Sequence, residues 1–104
     1  MYKIRGKILN VEQIDINTTK GDFVKKLVTI EELDSDFNHQ HQFEIFGQEK
    51  INVIEGSTKL REGDLININF YIKSREYNGK FYNTLMVKDI IIENNEVSED
   101  TPPF

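Results

Sequence analysis

Two adjacent residues, Asn78 and Gly79, constrain this chain more than any others. Asn-Gly between runs of alternating apolar residues is the strongest short-range signal for a β-hairpin. A two-residue loop also sets the register of both strands it joins. Strands are therefore predicted over residues 65–77 and 80–93. Tyr77 is expected to pair with Lys80, Arg75 with Tyr82, Lys73 with Thr84, Tyr71 with Met86 and Asn69 with Lys88. The opposite face pairs Ile72 with Leu85, Phe70 with Val87 and Ile66 with Ile91, and reads as core. The first face carries Tyr71, Lys73, Arg75, Tyr77, Lys80, Tyr82 and Lys88: four cations, three tyrosines and no acid.

The rest of the chain repeats the β pattern, with Ile, Val, Phe, Tyr and Thr in period-two runs broken by Gly, Asn and Asp. A first strand is predicted over 2–15, and Gly6 within it points to a bulge or sharp bend. A turn follows at 17–22, a strand at 23–32 and a loop at 34–38. The strand at 40–46 sets His41, Phe43 and Ile45 on one face. Ile51 and Ile54, three apart in 48–54, fit one face of a short helix. Gly56 and Gly63-Asp64 bracket a connection. Strand, strand, strand, short helix, strand, strand is the order of the OB-fold, an all-β, five-stranded Greek-key barrel with one short helix between strands 3 and 4. An SH3-like barrel is the main alternative, and the helix favours the OB-fold. Residues 1–92 read as one domain and 93–104 as an acidic, flexible tail.

Composition narrows the chemistry. With no cysteine, the chain has no disulfide framework, thiolate metal site or Cys nucleophile. No apolar run approaches the ~20 residues of a membrane helix, and the N-terminus lacks a secretory h-region, so a cytoplasmic location is expected. The net charge is −5, yet all 13 Lys and Arg lie between Lys3 and Lys88. Residues 93–104 hold four of the 18 acids and no base, which leaves 13 − 14 = −1 for residues 1–92. A near-neutral domain can still present a basic face.

The hairpin face has the composition that single strands require. Cations pair with phosphates, and aromatic rings stack on bases at roughly 1–3 kcal/mol each. The rival explanation is a solvated face on which aromatic cross-strand pairs stabilise the ladder. Lys3, Arg5 and Lys7 alternate with Ile4 and Ile8 and extend the basic surface along the first strand. Phe23, Lys25 and Lys26 add to it from the second, where one of the two lysines must point outward. Lys59 and Arg61 read as ordinary solvated charges. His39 and His41 are too few for a metal site, and Glu44 points with Gln42 and away from His41. Neither a Ser–His–Asp spacing, nor a glycine-rich phosphate cradle, nor HExxH is present, so neither enzyme activity nor a cofactor is expected.

The last residues, Glu99-Asp100-Thr101-Pro102-Pro103-Phe104, place an aromatic ring and a terminal carboxylate on an acidic stretch. Such an end can fill an apolar pocket while its carboxylate meets a cation or a backbone nest. This tip resembles that of bacterial single-stranded DNA-binding proteins, which typically end Asp-Asp-Ile-Pro-Phe. The body resembles a family of small bacterial and phage OB proteins long catalogued as a domain of unknown function. The resemblance rests on KIRGKI (3–8), HQFEIFGQEK (41–50) and IKSREYNGKFYNTL (72–85), and covers most of residues 3–92.

That resemblance implies largely sequence-independent binding of single-stranded DNA in replication, recombination and repair. It marks Arg75, Tyr77, Lys80 and Tyr82 as the strand-binding hairpin. Asp100, Pro103 and Phe104, with Glu99 and Pro102 beside them, become the end that docks a helicase, nuclease, recombinase or polymerase component. In the free protein the tail would occupy the basic groove. Two departures weaken docking through the tip: Thr101-Pro102 replaces the usual acidic and Ile positions, and the linker is short. Two alternatives remain at this point: an RNA-binding or primosome-type OB module, and a protein–protein adaptor that uses the aromatic face. Oligomeric state is open, a homodimer through edge strands included.

Overall fold

The computed structural model describes residues 1–33, 36–37, 39–56 and 59–93. Five strands and one helix follow in the expected order: β1 (Tyr2–Thr18), β2 (Gly21–Glu32), β3 (Gln40–Phe46), α1 (Gln48–Ile54), β4 (Leu65–Tyr77) and β5 (Lys80–Ile92). The strands close into a barrel in the order β1-β2-β3-β5-β4. This is the OB-fold. All neighbours are antiparallel except β3 and β5, which meet in parallel over only two residue pairs, Phe43 with Leu85 and Glu44 with Met86.

β1 belongs to both ends of the sheet: residues 2–7 pair with β4 and residues 6–18 with β2. Gly6 sits at the overlap. A Cβ there would lie 2.5 Å from Ile30 Cδ1 and 2.9 Å from the Glu31 carbonyl oxygen, so only hydrogen fits. The bulge itself falls three residues later. Ile8 pairs with Ile30 and Asn10 with Thr29, which leaves Leu9 without an opposite residue. β1 also runs beyond residue 15, because the Thr18 hydroxyl donates to the Gly21 carbonyl at 2.7 Å and accepts from the Lys20 amide at 3.2 Å. These bonds hold the chain extended up to a two-residue turn.

The interior is aliphatic around one fully buried ring, Phe43, against which the partly buried Phe70 packs edge-on. Ile8, Val28, Ile30, Phe43, Ile45, Ile51, Leu60, Ile66, Ile68 and Val87 are buried. α1 rests on β2 and β3 and contributes Ile51, with Ile54 packed against the cluster. It starts at Gly47, whose φ of 96° is one that side-chain-bearing residues rarely adopt. The Gly47 amide also donates to the Val24 carbonyl at 2.8 Å and thereby ties the helix start to β2.

At the hairpin both turn residues have positive φ, 52° at Asn78 and 80° at Gly79, and the register expected from Tyr77–Lys80 down to Phe70–Val87 is the one observed. Below that point the expected pairing fails. Asn69 pairs with Asp89, not Lys88, and Ile66 pairs with Ile92, not Ile91. Lys88 is an extra residue on β5, a bulge that shifts every later partner by one. Ile91 consequently faces solvent. Ile72 is also 45% exposed despite sharing the core-side parity, because residues 71–77 and 80–83 form an arm that outruns the barrel.

Glu93, where the predicted strand 80–93 and the predicted tail 93–104 overlap, is fixed to the barrel. Its amide donates to the Leu65 carbonyl at 2.8 Å, and its carboxylate accepts from Arg5 and Asn67. Glu99, Asp100, Pro102, Pro103 and Phe104 lie outside the described residues.

Candidate nucleic-acid interface

Strand alternation turns the β4–β5 register into a surface. Odd-numbered residues of β4 face away from the core, and the β5 residues opposite them do the same. Tyr71 lies across from Met86, Lys73 from Thr84 and Arg75 from Tyr82. Beside β5 runs β3, whose outward positions include Glu44 and Phe46. Beyond it lies β2, where Lys25 pairs with Phe46. Together these surfaces enclose an open groove of about 800 Å³.

One wall of the groove is the hairpin arm, with Tyr71, Lys73, Arg75, Tyr77 and Tyr82. The other is formed by Lys25, Phe46 and, from α1, Lys50, while Met86 and Glu44 lie between. Tyr71, Tyr77 and Tyr82 are 47%, 63% and 53% exposed, so their rings are available to a ligand. Phe46 is about as exposed and packs on Phe23, ring centroids 5.9 Å apart, which carries the aromatic surface onto β2. Four cations and one acid line the groove. That acid, Glu44, accepts from Lys25 Nζ at 3.4 Å. An extended polyanion bearing flat rings is the kind of molecule such a surface can hold.

Of the residues singled out on sequence, the fold gathers Lys25, Tyr71, Lys73, Arg75, Tyr77 and Tyr82 into this groove, with Phe23 against its edge. Others lie elsewhere. Lys26 has core-side parity and reaches the end of α1, where Nζ donates to both carboxylate oxygens of Glu55, the C-cap residue, at 2.8 and 2.9 Å. Lys80 flanks the turn opposite Tyr77, and Lys88 occupies the β5 bulge. Lys3, Arg5 and Lys7 lie on β1 beside Asn69, Asn67 and Leu65 of β4. Arg5 binds Glu93 there, Nε to Oε2 at 2.6 Å. The Arg5 hydrogen bonds, then the one from Asn67, outweigh desolvation and hold the Glu93 carboxyl below its ordinary value.

Phe46, Lys50 and Glu44 were not picked out as site residues. Phe46 was within reach of sequence reasoning: with Phe43 and Ile45 on successive odd inward positions, an even-numbered Phe must point out. Lys50 was not, because nothing local fixes how α1 sits on the barrel. His41 Nε2 lies 3.0 Å from Glu32 Oε1. Among the described residues no group of three or more His, Asp or Glu is placed to hold a metal ion.

Residues 3–91 match a family described as a domain of unknown function, DUF3127. The chain belongs to this family. No curated protein matches the DUF3127 chain. Among solved structures it is similar to a mitochondrial single-stranded DNA-binding protein from S. cerevisiae, Rim1. The TM-score there is 0.60 at 16% identity, over 88% of the DUF3127 chain and 91% of that chain. It is also similar to the N-terminal domain of PriB from Thermoanaerobacter tencongensis, solved as a dimer. That TM-score is 0.57 at 18% identity, over 89% of the DUF3127 chain and 94% of that chain. At such identities the likeness is one of fold.

Proposed function

We propose that this protein binds single-stranded DNA, largely without regard to sequence, along the groove between the hairpin arm and β3. The observation that carries this reading is the convergence of Tyr71, Tyr77, Tyr82 and Phe46 with Lys25, Lys50, Lys73 and Arg75 on one open surface. Rings stack on any base, and cations release counterions from phosphates, so such a surface gives affinity without requiring a sequence. The similarity in fold to Rim1, which is named for binding single-stranded DNA, supports the reading. Residues 99–104 would then serve to recruit replication, recombination or repair proteins.

The test is fluorescence anisotropy of labelled oligo-dT at two salt concentrations, with wild type and Tyr77→Ala/Tyr82→Ala. The expected result is salt-sensitive binding that the double substitution weakens. Absence of binding at low salt would remove the proposal and leave the adaptor reading in its place. Competition by oligo-rU as strong as that by oligo-dT would move the ligand to RNA. Deleting residues 98–104 tests recruitment separately: unchanged partner capture would remove it.

A further inference from the structure

Glu44 is chemically out of place in a groove built for a polyanion. A carboxylate there repels phosphates and competes with them for Lys25, whose Nζ it engages at 3.4 Å. Its side chain is only 17% exposed, yet it lines the groove. Of its two oxygens only Oε1 has a described donor, and that bond is long. A carboxylate accepts and never donates, so what remains is acceptor capacity pointed at the ligand space.

Its neighbours define what could meet it. Across the sheet, Glu44 adjoins Met86, and Met86 adjoins Tyr71. Two strand spacings put Tyr71 about 10 Å from Glu44, with the thioether of Met86 between them. Along its own strand Glu44 is two residues from Phe46, on the same face and about 7 Å away. A base stacked on Phe46 can turn an edge towards the carboxylate. An aromatic face beside a fixed acceptor holds a base and reads one feature of it, an exocyclic amino group. Cytosine presents such a group at N4, a recognised partner of Glu and Asp, whereas thymine presents the O4 acceptor at the same place.

We propose that Glu44 is a base-selecting residue of the groove, favouring cytosine over thymine. The inference rests on the reading of the groove as a single-strand site and adds a modest preference to it. Base edges would turn to Glu44 on β3, while phosphates would run past the cations that flank it, Lys25 among them.

Anisotropy with labelled oligo-dC and oligo-dT of equal length, at one fixed salt concentration, tests it on the full chain. Wild type is expected to bind oligo-dC about tenfold more tightly than oligo-dT. In Glu44→Gln the amide can turn its NH2 to thymine O4, so the preference should collapse and oligo-dT binding should tighten. Glu44→Ala supplies the same readout if the first variant does not fold. Binding of both oligonucleotides with no preference, or a preference retained in the variants, overturns the role of Glu44 and leaves single-strand binding standing. Binding of neither at low salt overturns the reading of the groove, and this inference with it.

Discussion

The guanidinium of Arg5 grips the carboxylate of Glu93 through two hydrogen bonds, Nε to Oε2 at 2.6 Å and Nη2 to Oε1 at 3.1 Å. This fork joins the first strand to the residue that follows the last, and Asn67 Nδ2 adds a third bond at 2.9 Å. The folded-state pKa of Glu93 is lowered from its ordinary value of 4.5. A lowered carboxyl pKa gives stability that is complete above the unfolded value and is lost as pH falls through the folded one. Thermal melts from pH 7 downward should therefore show wild type losing stability below about pH 4.5. Glu93→Gln should start less stable and lose less over that interval. Parallel curves for the two proteins would show that the fork contributes no pH dependence.

Gly6→Ala should destabilise the barrel without touching the groove. The added methyl would stand 2.5 Å from Ile30 Cδ1 and 2.9 Å from the Glu31 carbonyl oxygen. Forcing a methyl into such a contact costs about 1–3 kcal/mol. A lower urea midpoint at unchanged slope is the expected outcome, and a midpoint equal to that of wild type would mean the strands part easily there.

The neighbouring lysines of β2 should separate cleanly. Lys26→Ala leaves the nearly buried Glu55 carboxylate without its partner and should cost about 1–3 kcal/mol in denaturant unfolding, with little effect on oligonucleotide affinity. Lys25→Ala should do the reverse and flatten the plot of log affinity against log salt by about 0.7, one phosphate's worth on a single strand. Equal effects of the two substitutions on the salt slope would contradict the opposite orientations of these side chains.

Phe46→Ala should weaken oligonucleotide binding by about 1–3 kcal/mol, the range for loss of one stacked base. It should do so as strongly as Tyr82→Ala, although Phe46 lies on the opposite wall. Anisotropy read beside a melting curve distinguishes lost stacking from lost packing against Phe23. An affinity unaltered by Phe46→Ala would confine the contact to the hairpin arm.

Much of this molecule could be read from local rules. Asn78-Gly79 demands a turn with positive φ at both residues, and strict alternation then carries side-chain direction from Tyr77 to Tyr71 on one strand and from Lys80 to Val87 on the other. The order of strands and the single short helix followed from period changes that need only neighbours in sequence. What escaped was non-local. The Lys88 bulge has no signature in residues 86–90, and it moved Asp89 opposite Asn69, where Asn69 Nδ2 donates to Asp89 Oδ1 at 2.6 Å. The separate fates of Lys25 and Lys26 were legible from Val24, Val28 and Ile30, whose even spacing includes Lys26. The partner of Lys26 at the C-cap of α1 was not, since it depends on helix placement. Glu93 stands on sequence both as the end of the predicted strand and as the first residue of the tail, and only the approach of Arg5 from the far end of the chain explains its place.

The barrel closes at a seam of two residue pairs, Phe43 with Leu85 and Glu44 with Met86. Every other strand junction is an antiparallel ladder of at least six residue pairs, so this is the shortest stitch in the cylinder. The groove straddles it, with Met86 and Tyr71 on one bank and Glu44 and Phe46 on the other. A ligand lying in the groove would act as a splint across the weakest joint of the wall. Occupancy and closure are then linked equilibria, each strengthening the other by the same free energy.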